Sequence, residues 1–94
     1  MNIVIADSAR LTLLETKAYY NQEQPGLGYD FVQEFINALG RIQTQPEAWT
    51  PLSKRTRRCL MKRFPYSIIF RIQKTHNQIQ IIDLMHQKRQ PKTY

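Results

Sequence analysis

Cysteine is nearly absent. Cys59 is the only one in 94 residues, so no disulfide can form within the chain, and a reducing cytoplasm is the expected setting. A small apolar packing residue is the plainer role for it than a reactive thiol. Long apolar runs are missing as well. No stretch nears the ~20 residues that a membrane helix needs, and the N-terminal "MNIVIADSAR" lacks the basic segment and apolar core of a secretory signal. No membrane association is expected. The glycines form no phosphate loop, because Gly26-Leu27-Gly28 follows no strand and brings no P-loop lysine. His76 and His86 stand alone and nothing repeats at metal-ligand spacing, so no metal or cofactor is expected. The C-terminal half has no pair of acids, which argues against carboxylate-pair glycoside chemistry.

What is present is positive charge, unevenly placed. The net charge is +7. Residues 1–47 hold six acids and three bases, a net −3, whereas residues 48–94 hold eleven bases and one acid, Asp83, a net +10. A half-chain this basic implies a polyanionic partner, either nucleic acid or an acidic protein segment. The length suits one domain spanning residues 1–94, burying roughly 60–65 % of its unfolded surface.

The order of elements follows from periodicity and breakers. Residues 2–6, "NIVIA", read as a strand. Asp7 or Ser8 is placed to cap a helix that runs to about Gln22, with Ala9, Leu13 and Tyr20 recurring at helical spacing. Pro25, Gly26 and Gly28 interrupt it, the glycines being able to take positive φ. A second helix, from about Tyr29 to Thr44, carries the stripe Phe31, Phe35, Leu39 and Ile42. "TQPEAWTPLSKRT" is a loop that Trp49 and Leu52 anchor. Strands are expected over residues 57–64, 66–73 and 79–86, with turns near Pro65 and over residues 74–78. Tyr66, Ile68, Phe70 and Ile72 share one strand face, and Ser67, Ile69, Arg71 and Gln73 the other. The string is β-α-α-β-β-β, an α+β fold in which a helical hairpin packs on a twisted antiparallel sheet.

The cations fall on that sheet and its flanks: Arg58, Lys62, Arg63, Arg71, Lys88 and Arg89, with His86 among them and Tyr94 behind. Guanidinium forks and ammonium groups neutralise phosphate. RNA cleavage through the 2′-OH needs a base, a cation at the phosphorus and a proton donor. His86, an arginine and Tyr94 or Tyr66 are the residue types for those roles. The same cations suit an acidic peptide equally well, and alternation alone leaves open which face points outward.

The stretch "YYNQEQPGLGYDFVQEFINALGRIQTQPEAW", followed by "RRCLMKRFPYSIIFRI" and "IQIIDLMHQKRQP", resembles the RelE/ParE superfamily of bacterial toxins over nearly the whole chain. The markers are Gly26-Leu27-Gly28 with Phe31, the Ile42 to Pro46 spacing, Arg58, Phe64-Pro65-Tyr66, and His86, Arg89 and Pro91 in that order. The resemblance implies the toxin half of a type II toxin–antitoxin pair, a kind often described as plasmid stabilisation proteins. It implies a cognate antitoxin with an acidic, partly disordered tail, and operator DNA bound through that antitoxin. Its ParE-like branch, to which "GLG…F", "RFPY" and "H-x-x-R-x-P" sit closer, inhibits growth through DNA gyrase without chemistry of its own. Its RelE-like branch cleaves mRNA on the ribosome. On that reading Arg63, Arg71 and His86 are the catalytic candidates. Arg58, Lys62, Arg63, Arg71, Lys88, Arg89 and Tyr94 are the candidates for binding antitoxin or target. A basic binding module without toxicity is the third alternative.

Overall fold

Ile3 and Ile5 turn inward from strand β1 (Asn2–Ile5) while Asn2 and Val4 are exposed. Helices α1 (Asp7–Glu23) and α2 (Leu27–Thr44) follow as a hairpin. Then come the short strand β2 (Thr50–Pro51) and strands β3 (Thr56–Leu60), β4 (Tyr66–Gln73) and β5 (Gln78–His86). The computed structural model of the chain describes residues 1–89. The strand order is β1-β5-β4-β3-β2. The two helices cover one face of this sheet, as an α+β fold requires.

The sheet is mixed rather than purely antiparallel. β1 runs parallel to β5, with Ile3 opposite Ile79 and Ile5 opposite Ile81. A parallel neighbour needs a crossover, and the helical hairpin is part of it. Ala6 donates its N–H to the Ile81 carbonyl at 2.8 Å, so the chain leaves the sheet and enters α1 within one residue. Ala6 therefore occupies the cap position and makes no side-chain cap bond. Asp7 lies inside the first turn, where its charge favours the helix dipole. Ser8 Oγ reaches across to the Ile82 carbonyl at 3.4 Å.

The β4–β5 ladder decides which residues share a face. Ile69 pairs with Asp83 but Phe70 pairs with Ile81, so Ile82 is an extra residue in β5. Such a bulge shifts the alternation by one. It lets Ile79 and Ile81, at odd positions, and Leu84, at an even one, all join the core beneath the helices. Tyr66, Ile68, Phe70 and Ile72 lie on that helix face, as the alternation of β4 predicts. The other face is not simply wet. Ser67 and Ile69 are fully buried on it, with Thr56 and Met85 nearly so. These residues pair along the same side of the ladder and lie apart from the main core.

β3 ends at Leu60, four residues short of the Phe64 expected from composition. Arg63 adopts φ 70°, a left-handed conformation that ends strand pairing. Met61 to Pro65 form the connection, closed by Met61 N–H to the Tyr66 carbonyl at 2.9 Å and Tyr66 N–H to the Phe64 carbonyl at 2.8 Å. Met61 and Phe64 fold inward from this turn, whereas Lys62 and Arg63 stay exposed. Phe64 meets Tyr20 at 4.9 Å and Phe31 at 5.2 Å between ring centroids, and Phe31 meets Tyr66 at 5.4 Å.

The two glycines of the helix–helix turn do different work. Gly26 takes φ 89° and precedes α2, which starts at Leu27 rather than near Tyr29. Gly28 is already helical and lets α1 and α2 approach. Its N–H donates to Asn21 Oδ1 at 2.8 Å, and a Cβ there would lie 2.3 Å from the Lys17 carbonyl oxygen. Gly40, exposed near the C-terminal end of α2, has nothing within 4 Å of such a Cβ. Gly28→Ala is therefore expected to lower unfolding free energy by about 1–3 kcal/mol, because backbone must shift. Gly40→Ala should raise it by about 0.5–1 kcal/mol. Urea denaturation of the two variants checks both signs, and a neutral Gly28→Ala would show that the helices can separate at no cost.

Candidate functional site

Cations lie toward both ends of the β3–β4 hairpin, with Arg58 at mid-strand between them. One end is where the Met61–Pro65 turn meets the turn after β5. Gln87 joins the two, donating its backbone N–H to the Pro65 carbonyl at 2.8 Å and its side-chain amide to the Tyr66 carbonyl at 3.3 Å. Arg58 lies half-buried on the sheet face away from the helices. Its Nε donates to Ser67 Oγ at 2.9 Å and its Nη2 to the Gln87 carbonyl at 3.3 Å. The guanidinium thus roofs the buried Ser67 and ties β3 to the last turn. Lys88 and Arg89 are exposed on that turn, which Arg89 N–H closes by bonding the His86 carbonyl at 3.0 Å.

Lys62 and Arg63 lie at the same end. Arg63 sits over the Phe64 ring at 5.5 Å and approaches Asp30 of α2 at 3.6 Å. Both charges are well exposed, so this ion pair adds little stability. His86 turns to the helix side. Its ring stands edge-on to Tyr66 at 5.3 Å, and its Nδ1 accepts the Lys88 backbone N–H at 3.1 Å.

Arg71 belongs to the other end. It lies opposite Thr56 and Gln80, and its Nη2 donates to Gln80 Oε1. It lies five positions along β4 from Tyr66, the partner of His86, a span of roughly 17 Å. Arg71 and His86 also sit on opposite faces of the sheet. The structure therefore places Lys62, Arg63, Lys88 and Arg89 toward one end of the sheet, with Arg58 reaching that end on the face away from the helices and His86 on the helix face. It does not bring Arg63, Arg71 and His86 together. Tyr94 lies outside the described residues. A second cation group around Arg71, comprising Lys54, Arg55, Arg57 and Lys74, was not singled out from the sequence. Its signal was there in the basic turn segments "SKRTR" and "KTH", which a β3–β4 hairpin must place at one end.

Among the described residues no cluster of three or more His, Cys, Asp or Glu could hold a metal ion. No helix there is long and apolar enough to cross a membrane. Cys59 is fully buried on the helix face opposite Ile68. Burial pushes its thiol pKa up, and nearby Arg41 offsets this only in part. A thiol held protonated beneath two helices is a packing group, not a nucleophile.

The whole-chain comparisons bear on this geometry. A family model described as "ParE toxin of type II toxin-antitoxin system, parDE" matches residues 3–91. Among solved structures, the chain is similar to one described as "Chromosomal ParDE TA system from P. aeruginosa", with a TM-score of 0.78. The sequences are 19% identical, and the match covers 92% of this chain and 95% of that one. At that identity the likeness speaks for the fold. Comparison with the curated proteins gives no match.

The raised thiol pKa of Cys59 gives a pH dependence of known sign. The folded state holds the proton more tightly than the unfolded chain. Its stabilising contribution is complete below the unfolded thiol pKa of about 8.5 and is lost as the pH rises toward the folded value. Cys59→Ala removes this dependence. The stability gap between wild type and variant, measured by urea denaturation, should narrow between pH 7 and pH 9.5. A gap that does not change with pH would mean the thiol ionises as freely folded as unfolded.

Proposed function

The chain belongs to the ParE toxin family of type II toxin–antitoxin systems, and on that premise we propose that it arrests growth by binding DNA gyrase, with no chemistry of its own. A cognate antitoxin neutralises it, and operator DNA is bound through that antitoxin. Both partners meet it in the cytoplasm. A plasmid that carries such a pair is stabilised, because cells that lose the antitoxin stop growing.

The observation that carries this reading is the scattering of the catalytic candidates. Phosphodiester cleavage needs its base, its cation and its proton donor within hydrogen-bond reach of one phosphate. Arg71 and His86 are separated by most of the length of β4 and by the thickness of the sheet. The His86 ring is engaged with Tyr66 and with the Lys88 amide. Binding asks for less, namely a charged surface on a firm scaffold. Arg58, Lys62, Arg63, Lys88 and Arg89 supply one, and Arg71 and Tyr94 complete the binding set. An acidic tail that orders as it docks would bury wide surface against these cations.

The ribosome-dependent endoribonuclease is the competing reading, and a non-toxic basic module is the third. One induction experiment separates all three. The chain is expressed without antitoxin while plasmid supercoiling, the SOS response and protein synthesis are followed, with purified gyrase assayed in parallel. Negative supercoiling should be lost and SOS induced before translation falls, and co-expression of the antitoxin should reverse both. Arrested translation with cut mRNA and unchanged supercoiling would establish the nuclease reading instead. Normal growth at full expression would leave only the binding module.

A further inference from the structure

Between the turn that precedes β3 and the turn that follows β4 lies a cavity of about 480 Å³. It sits at the end of the sheet away from Pro65 and His86. Lys54, Arg55, Arg57, Arg71 and Lys74 line it, and Glu47 is the carboxylate among them. The register explains the gathering. Thr56 pairs with Arg71 at the mouth of the β3–β4 hairpin, so the segments before β3 and after β4 leave the sheet side by side. The sole acid is already engaged. Glu47 Oε1 meets Lys74 Nζ at 2.8 Å, and that ammonium holds the Glu47 carboxyl below the usual carboxylate range.

Two of the arginines are fixed in place. Arg57 Nη1 donates to the backbone carbonyls of Glu47 at 3.0 Å and Trp49 at 2.8 Å. Arg71 is held through Nη2 by Gln80, while its buried Nε has no hydrogen-bond partner among the described residues. A buried donor left unpaired costs the fold stability until an acceptor reaches it. Five cations against one carboxylate leave this end of the sheet with net positive charge, which an anion offsets. The volume falls within the range of small-molecule sites, roughly 300–1,000 Å³.

We infer that this cavity is a binding site for a polyphosphate chain. Phosphate oxygens supply the acceptors that a guanidinium fork and the lysines fit. Several linked phosphates match an excess of cations that a single carboxylate cannot balance. Apart from the His76 imidazole, no aromatic side chain lines the cavity, so nothing there stacks a nucleobase. The site reads the phosphate chain and not the base. Inorganic triphosphate and a nucleoside triphosphate are therefore equivalent ligands. The inference does not depend on the growth-arrest target.

Calorimetric titration of the full chain at low salt, with inorganic triphosphate and with ATP in parallel, tests it. Each ligand should bind once and saturably, with affinities within about threefold of each other, and binding should weaken as salt is added. Arg71→Gln and Lys54→Gln should each weaken binding about tenfold, the loss of one charge-assisted contact. Lys54 stands in an exposed turn, so its variant keeps the test sound even if Arg71→Gln unfolds. Glu47→Gln should tighten binding, because it frees Lys74 and removes the competing carboxylate, a gain that no structural damage imitates. Arg10→Gln, on α1 and outside the cavity, should leave binding unchanged. Absence of saturable binding at millimolar triphosphate overturns the inference. So does Arg10→Gln weakening binding as much as Lys54→Gln, since that marks diffuse charge. Binding of ATP alone overturns it too, since the base would then be what is read.

Discussion

Phe64 lies with its ring near-perpendicular to Phe31 of α2 and steeply tilted to Tyr20 of α1, at 5.2 and 4.9 Å. It comes from a turn, not from a helix or strand, and it is nearly buried. Each such aromatic pair is worth about 0.5–1.5 kcal/mol beyond the area it buries. The ring therefore pins the Met61–Pro65 turn to the crossing of the two helices. Tyr66 extends the cluster to β4, and His86 extends it to the end of β5. Around this knot the backbone of residues 61–65 takes one shape, with Arg63 forced into a left-handed conformation. Lys62 and Arg63 are held out into solvent because their neighbours Met61 and Phe64 are held in. The charged surface proposed to meet antitoxin and target is, in this sense, the outer side of an aromatic core.

Much of this architecture was legible from residue pattern, and the failures have particular causes. The helical stripe of Phe31, Phe35 and Ile42 and the alternating Tyr66, Ile68, Phe70 and Ile72 face the core as their spacing predicts. The extent of β3 was not legible, because Met61 and Phe64 carry strand-like apolarity while serving a turn. Composition cannot separate an inward side chain in a strand from one in a plugged loop. The bulge at Ile82 was hidden for a related reason. A run of "IQIIDLMH" alternates imperfectly, and only pairing with β4 reveals that its phase changes midway. The parallel partner of β1 was equally out of reach, since four residues carry no signal for direction.

The charged residues show the same division. Their concentration in the second half of the chain was plain from counting. Their grouping was not, because Arg58 and Arg71 are neighbours on the face away from the helices, Arg58 opposite Ile69 and Arg71 two residues further along β4, yet their guanidinium groups bond different partners. Register makes the difference. It sets Arg58 opposite Ile69 at mid-strand, from where its guanidinium reaches Ser67 and Gln87, and Arg71 opposite Thr56 at the end where the turns over residues 53–55 and 74–76 converge. Sequence spacing hides how turns far apart in the chain come to share one cavity.

The parallel pairing of β1 with β5 also bears on when the molecule can exist. β5 lies second in the strand order, between β1 and β4, yet it is the last described strand to be synthesised. Until it emerges, β1 has no partner and the helix face of β4 is covered on one side only. Contacts so distant along the chain close late and slowly, because loop entropy must be overcome before they form. A growing chain therefore cannot complete its sheet ahead of its own translation. The charged end organised around His86 and Gln87 assembles only at that final step.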